Sequence, residues 1–193
     1  MPALYLTHSE VVIDPAVPMT EWRLSDEGRS RIERFAQRDL LPHGIRIVSS
    51  TETKTLETAA AVAAVTGNAV EPDHALRENE RSSTGFMSPP ERFDANLSAL
   101  YAAPGESASG WETAAATQAR IVEAVATYLE GGDIVFVGHG TIGTLLKCHL
   151  GRRPIARSED QRIMAAPGGG NLFVFTRRGL LTDWMPIEDF AGF

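Results

Sequence analysis

Leu4-Tyr5-Leu6-Thr7-His8-Ser9-Glu10 decides how the rest of the chain is read. An apolar, β-favouring run ends abruptly at a histidine, with Ser9 and Glu10 behind it. A strand that buries Leu4 and Leu6 delivers His8 to its carboxyl end, the edge of an open α/β sheet where ligands bind. A second stretch ends alike: Asp133-Ile134-Val135-Phe136-Val137-Gly138-His139-Gly140. Two strands that each run into a histidine point to one site with two imidazoles.

Outward from these strands the pattern alternates. Ser25 is a good helix N-cap, and Asp26 and Glu27 suit the first turn. Ile32, Phe35, Ala36 and Leu40 fall at helical spacing, so a helix is expected over residues 26–40, stopped by Pro42 and Gly44. A short strand at 45–48 leads to Ser49-Ser50-Thr51, hydroxyls placed to cap an alanine-rich helix over 52–65. Further strands are expected at 69–71 and 133–137, and helices at 91–101, 112–129 and 141–150. Residues 152–162 are polar and irregular, and residues 172–176 and 180–184 close the chain as a hairpin through Arg177-Arg178-Gly179. This order predicts a single domain over residues 1–193, a three-layer α/β/α sandwich with a mostly parallel sheet. The irregular stretch at 78–111 is expected to be an insertion over the strand ends.

A chain of 193 residues can bury one core and does not demand two. Its 18 basic and 25 acidic side chains leave a net charge of −7, which argues against a nucleic-acid partner. The single cysteine, Cys148, excludes an intrachain disulfide and a cysteine-built metal site, and its leucine neighbours mark it as packing. No basic leader precedes an apolar run and no run reaches membrane length, so a soluble, cytoplasmic protein with no membrane partner is expected. His43 reads as a turn residue, and His74 and His149 as surface or packing residues.

Gly138 and Gly140 flank His139 between a strand and a helix start. Glycines there let backbone approach a ligand, and the helix N-terminus offers amides to an anion. Gly138-His139-Gly140-Thr141-Ile142-Gly143 also satisfies the dinucleotide fingerprint, with Glu159 or Asp160 near the expected later acid. That reading fails on context, because residues 152–162 hold no strand to carry the acid. A metal hydrolase built on the two histidines lacks every short-spacing ligand motif.

The strand into His8, the Ser-led first helix, the Ser-Ser start of the second, Leu76-Arg77-Glu78 and Gly138-His139-Gly140 together resemble the histidine phosphatase superfamily, with its phosphoglycerate mutase-like fold. The likeness spans nearly the whole chain, and Gly110-Trp111-Glu112-Thr113 with Arg120 resembles a further family stretch, loosely kept. The resemblance implies His8 as nucleophile, Glu78 as proton donor (preferred by position over Glu80 and Glu10) and His139 as phosphate ligand. It implies metal-independent hydrolysis of a small phosphomonoester through a phosphohistidine, without a cofactor. Mutase-type phosphoryl transfer is the weaker branch, because the insertion is modest.

Two departures stand out. The arginine that precedes the family's first histidine is matched by Thr7, and the arginine in the first turn of the second helix by Lys54. A rigid guanidinium fork is thus replaced once by a hydroxyl and once by a point charge. Thr7, Lys54, Gly140 and an Arg81 reaching in from the insertion are the candidate phosphate-binding residues. Lys54 also has a plainer reading, an exposed pair with Glu57. If Thr7 occupies the arginine's place, Thr7→Arg should tighten phosphate binding. The weakened clamp leaves a second function class open, a degenerate member that binds a ligand or protein with little catalysis.

Overall fold

The computed structural model describes residues 1–193. In chain order the strands and helices are β1 (Ala3–Thr7), α1 (Asp26–Ala36), β2 (Arg46–Ser49), α2 (Thr53–Thr66), β3 (Val70–Pro72), α3 (Pro90–Ala102), α4 (Ala114–Tyr128), β4 (Ile134–Gly138), α5 (Gly140–Leu150), α6 (Gln161–Met164), β5 (Asn171–Thr176), β6 (Gly179–Leu180) and β7 (Met185–Pro186). The strands form one sheet in the order β3-β2-β4-β1-β5-β6, with β7 also on β5. β1 to β4 pair in parallel, and β5 to β7 add the antiparallel edge.

Period-two alternation sorts the apolar side chains onto two faces. Leu4, Leu6, Ile47, Val135, Val137, Leu172 and Val174 pack against Ile32 and Phe35 of α1 and Ala59 and Val62 of α2. Ala3, Tyr5, Val48, Ile134, Phe136, Phe173 and Phe175 face the other way, onto Ile121 and Val125 of α4 and Ile142 and Leu146 of α5. Each large side chain buried this way contributes about 1.5–3 kcal/mol. The result is the expected α/β/α sandwich. Within 78–111, α3 sets Leu97, Leu100 and Tyr101 against Trp111 and against Leu145 of α5. That stretch therefore has a small core of its own, docked on α5.

The register places the site. Thr7 lies opposite Gly138 in the parallel β1/β4 pair, so the next residues, His8 and His139, leave the sheet at one level. The His8 amide completes the ladder on the Gly138 carbonyl, at 3.0 Å.

Four local expectations need correction. Helix α1 stops at Ala36 rather than residue 40, because the chain turns through Asp39 at φ 53° while Arg38 grips the Ile187 and Phe190 carbonyls. No serine caps α2; Glu52 holds the N-cap position without a side-chain cap bond. The returning strand is broken, since the Val174 carbonyl accepts both the Leu181 and Thr182 amides and the resulting bulge ends β6 after two residues. Residues 152–162 are not wholly irregular, for Gln161 opens α6 and is buried. No helix is long and apolar enough to cross a membrane.

Candidate active site

The glycines around His139 serve side chains more than a ligand. A Cβ at Gly138 would overlap the Tyr5 hydroxyl, and one at Gly143 would overlap the Tyr5 ring. A Cβ at Gly140 would overlap the Gln161 amide. Tyr5, fully buried, donates its hydroxyl to the His139 carbonyl and accepts from the His139 amide, both at 3.1 Å. The dinucleotide-like spacing thus records the room that Tyr5 and Gln161 need. It also fixes the backbone of His139.

His8 and His139 face each other edge to face, with ring centroids 5.4 Å apart at 68°. His8 Nδ1 lies 2.8 Å from the Ser9 carbonyl. A carbonyl only accepts, so Nδ1 carries the proton and Nε2 keeps its lone pair. Burial pulls the His8 imidazole down to about 3, helped by His139 and Lys54, so the ring is neutral at ordinary pH. A neutral imidazole with a free Nε2 is a competent nucleophile toward phosphorus.

His139 is almost fully buried. Its Nε2 lies 3.0 Å from Ser50 Oγ and 3.3 Å from Glu52 Oε1, while its Nδ1 is buried with no hydrogen-bond partner. Glu52 is the residue that sequence reading missed. Its carboxylate accepts from Lys54 Nζ at 2.5 Å and from the Glu78 amide at 3.1 Å. Burial pushes Glu52 up, yet His139, Lys54 and the Glu78 amide overcome it and hold the carboxyl at about 2. Lys54 is buried too, its ammonium shared between Glu52 and the Met19 carbonyl at 2.7 Å. The exposed Lys54–Glu57 pair does not form, because Glu57 turns to Arg23 and Arg29. As a phosphate ligand Lys54 is compromised, since its charge is already balanced by Glu52.

Glu78 lies over the start of α5. Its carboxylate accepts from the amides of Asn79 at 2.9 Å, Thr141 at 3.3 Å and Ile142 at 3.1 Å. Two of the amides expected to hold an anion therefore hold this side chain, and the Gly140 amide makes neither bond. Burial opposes the charged form of Glu78, but His139, Arg81 and the Asn79 amide outweigh it and lower its pKa. The segment is pinned from behind by Arg120, which pairs with Glu112 at 2.7 Å and donates to the carbonyls of Ala75 and Arg77. The competing acids lie elsewhere: Glu80 is exposed and bonds the Ser82 amide, and Glu10 receives the Ser25 hydroxyl.

Thr7 does not face the site. Its hydroxyl, fully buried, is saturated by the Asn171 amide at 3.0 Å, with the Gln161 Oε1 and the Asn171 carbonyl each at 3.2 Å. The expectation that Thr7→Arg tightens phosphate binding is corrected accordingly, because Gln161 and Asn171 fill the space. Thr7→Arg is instead expected to cost about 1–3 kcal/mol of stability through overpacking, read by urea denaturation. Unchanged stability together with tighter inorganic phosphate binding would show that Gln161 yields to the new side chain. Arg81 sits 5.0 Å from the Phe93 ring centroid and 5.8 Å from that of Trp111, and Arg162 stacks on the same Phe93 at 5.0 Å. Burial and the neighbouring Arg162 lower the Arg81 guanidinium, while Glu78 draws it the other way.

A cleft of about 680 Å³ opens above these groups, between the loop at 15–20 and the segment at 77–86. Glu52, Lys54, Glu78 and Arg81 line it, and Trp22 meets Phe86 edge to face at 5.4 Å across its two lips. Neither His8 nor His139 is among its lining residues. No three His, Cys, Asp or Glu side chains are grouped to hold a metal ion.

Comparison with known proteins bears on the family and the fold. The family model described as the histidine phosphatase superfamily (branch 1) matches residues 15–183, beginning after β1 and His8. No curated protein matches the chain. Among solved structures, a mycobacterial glucosyl-3-phosphoglycerate phosphatase complexed with VO3 is similar at a TM-score of 0.70 and 22% identity, over 95% of each chain. The same phosphatase with inorganic phosphate gives 0.67 and 24%, over 90% of this chain and 88% of that one. Bacillus stearothermophilus YhfR gives 0.68 and 21%, over 90% of this chain and 89% of that one. At these identities the likeness is one of fold.

Proposed function

Because the chain belongs to the histidine phosphatase superfamily, branch 1, we propose that it is a phosphatase that hydrolyses a small phosphomonoester through a phosphohistidine on His8. The observation that carries this reading is the His8 arrangement: Nδ1 tied to the Ser9 carbonyl, Nε2 free, and the ring facing His139. In the first step the Nε2 lone pair attacks phosphorus, the bond to the ester oxygen breaks, and the leaving oxygen takes a proton from Glu78. In the second, water attacks the phosphohistidine, its proton passes to Glu78, and inorganic phosphate and neutral His8 are restored. The groups around Glu78 favour its charged form, which suits the second step directly. For the first it must gain a proton, which the charge of a bound phosphoryl group favours. Arg81 and the Gly140 amide are the donors proposed to face that group. The phosphatase complexes with VO3 and inorganic phosphate among the similar structures support an anion as ligand.

One observation favours the second reading, a binding protein with little turnover. The Glu52 carboxylate neutralises Lys54 and touches His139, so this site holds less positive charge than two signature arginines would give it. Steady-state release of phosphate from a generic phosphomonoester separates the two. Turnover is expected, and it is expected to persist in a strong chelator, because every proposed charge is a side chain. Activity lost on chelation and regained with zinc or magnesium would move the reaction to a metal. Binding of inorganic phosphate with no turnover of any ester would establish the binding reading.

A further inference from the structure

Glu52 has a place in the site that none of the roles proposed above explains. Its Oε2 accepts from Lys54 Nζ at 2.5 Å, while its Oε1 accepts from the Glu78 amide at 3.1 Å and lies 3.3 Å from His139 Nε2. Lys54 is in turn anchored on the Met19 carbonyl at 2.7 Å, so the pair has little freedom to swing. A carboxylate only accepts, which puts the single proton of a neutral His139 on Nε2. Nδ1 is then a buried lone pair without a donor. With Nε2 engaged by Ser50 and Glu52, Nδ1 is the ring nitrogen left for an anion beside His8, and its lone pair would repel one. The contact becomes favourable only when the ring gains a second proton.

We propose that Glu52 is the positioning residue that lets His139 become a cation when an anion binds: Nδ1 takes one proton from solvent and points it at the anion, while Glu52 balances the imidazolium through Nε2. This rests on the reading of His8 and His139 as the phosphoryl site. The groups around His139 are the Tyr5 phenol from β1 and His8 just after it, Ser50 and Glu52 from the turn between β2 and α2, Lys54 from α2, and Glu78 and Arg81 from the segment before α3. Burial is the largest influence on the empty imidazole and keeps it below its usual range; Glu52 and Glu78 favour the charged form, and Lys54 and Arg81 oppose it. Binding with proton uptake has a definite sign. Affinity falls as pH rises, by up to about tenfold per pH unit for one proton.

Sulfate is the probe, because it carries two charges and does not itself titrate near neutrality. Its binding is measured by calorimetry between about pH 6.5 and 8 in buffers of different ionisation enthalpy, with 15N spectra of the histidine rings. His139 is expected to gain one proton per sulfate bound, read as both of its nitrogens shifting to the protonated range, with affinity falling at least about tenfold per pH unit because Glu78 can take up a further proton. Glu52→Gln is expected to lose the His139 proton and lower the pH slope by about tenfold per unit, and Glu52→Asp to restore both. Sulfate binding without proton uptake by His139, or an unchanged slope in Glu52→Gln, overturns the role of Glu52 and leaves the site standing. Failure of both sulfate and inorganic phosphate to bind the wild-type protein overturns the phosphoryl site itself, and this inference with it. If Glu52→Gln does not fold, the wild-type ring spectra of His139 decide alone.

Discussion

His8→Asn is expected to abolish turnover, with a loss on the order of 10⁴–10⁶-fold in kcat, while leaving the protein folded and able to bind inorganic phosphate. The size follows from the chemistry. In the proposed reaction His8 Nε2 makes and breaks the only covalent bond between protein and substrate, and the lone pair on His139 Nδ1 is taken up by a proton once an anion binds. His139 faces it, but its Nε2 is taken up by Ser50 and Glu52 and its backbone is fixed by Tyr5. Asparagine can keep a donor toward the Ser9 carbonyl, so the β1 end has little reason to rearrange. Progress curves for a generic phosphomonoester, with a thermal melt of the same sample, check both halves. Residual activity within about tenfold of wild type would mean that water attacks phosphorus directly and that His8 only binds.

Glu78→Gln is expected to lower kcat by about 10²–10⁴-fold, far more than Glu80→Gln. Glu78 rests its carboxylate on the start of α5, next in the chain to His139, and its charge is felt by both histidines, whereas Glu80 is exposed and bonded to the Ser82 amide. Glutamine keeps one acceptor for the α5 amides but cannot transfer a proton, and losing the anion at a helix N-terminus costs stability of about 1 kcal/mol. The two effects are separated by leaving group. A proton donor matters most for alkyl phosphates and least for esters of acidic phenols, so the deficit of Glu78→Gln should shrink with the second. An equal deficit for both ester types would assign Glu78 a purely structural role. Equal effects of Glu78→Gln and Glu80→Gln would mean that another group supplies the proton.

The strands were legible because their chemistry is one-dimensional. Leu4, Leu6, Val135 and Val137 alternate with Ala3, Tyr5, Ile134 and Phe136, and that alternation is sufficient to place His8 and His139 at matching strand ends. Helix starts were legible where a side chain makes the cap, as Ser25 does for the Gly28 amide at 3.0 Å. What could not be read depends on contacts between distant parts of the chain. Thr7 looks like a vacancy in the phosphate pocket until Gln161 and Asn171 are seen to saturate its hydroxyl across more than 150 positions. Gln161 lay in a polar stretch with no period to mark it. Gly138 and Gly140 read as ligand-approach glycines, yet Tyr5, from the other end of the chain, needs the space at the first and Gln161 the space at the second. Glu52 was read as the first residue of a helix, where an acid is ordinary, and nothing local says that it turns inward to Lys54 and His139.

The central claim is that phosphorus passes through His8, and trapping the phosphoenzyme tests it most directly. The protein is mixed with a phosphomonoester, quenched in base, where phosphohistidine survives, and mapped by mass spectrometry, with 31P spectra to assign the nitrogen. The account predicts one acid-labile phosphate per chain, on His8 Nε2, formed and lost at rates that match turnover and absent from His8→Asn. Sustained turnover with no phosphate on His8 under any quench, or phosphate carried by another residue, would contradict it.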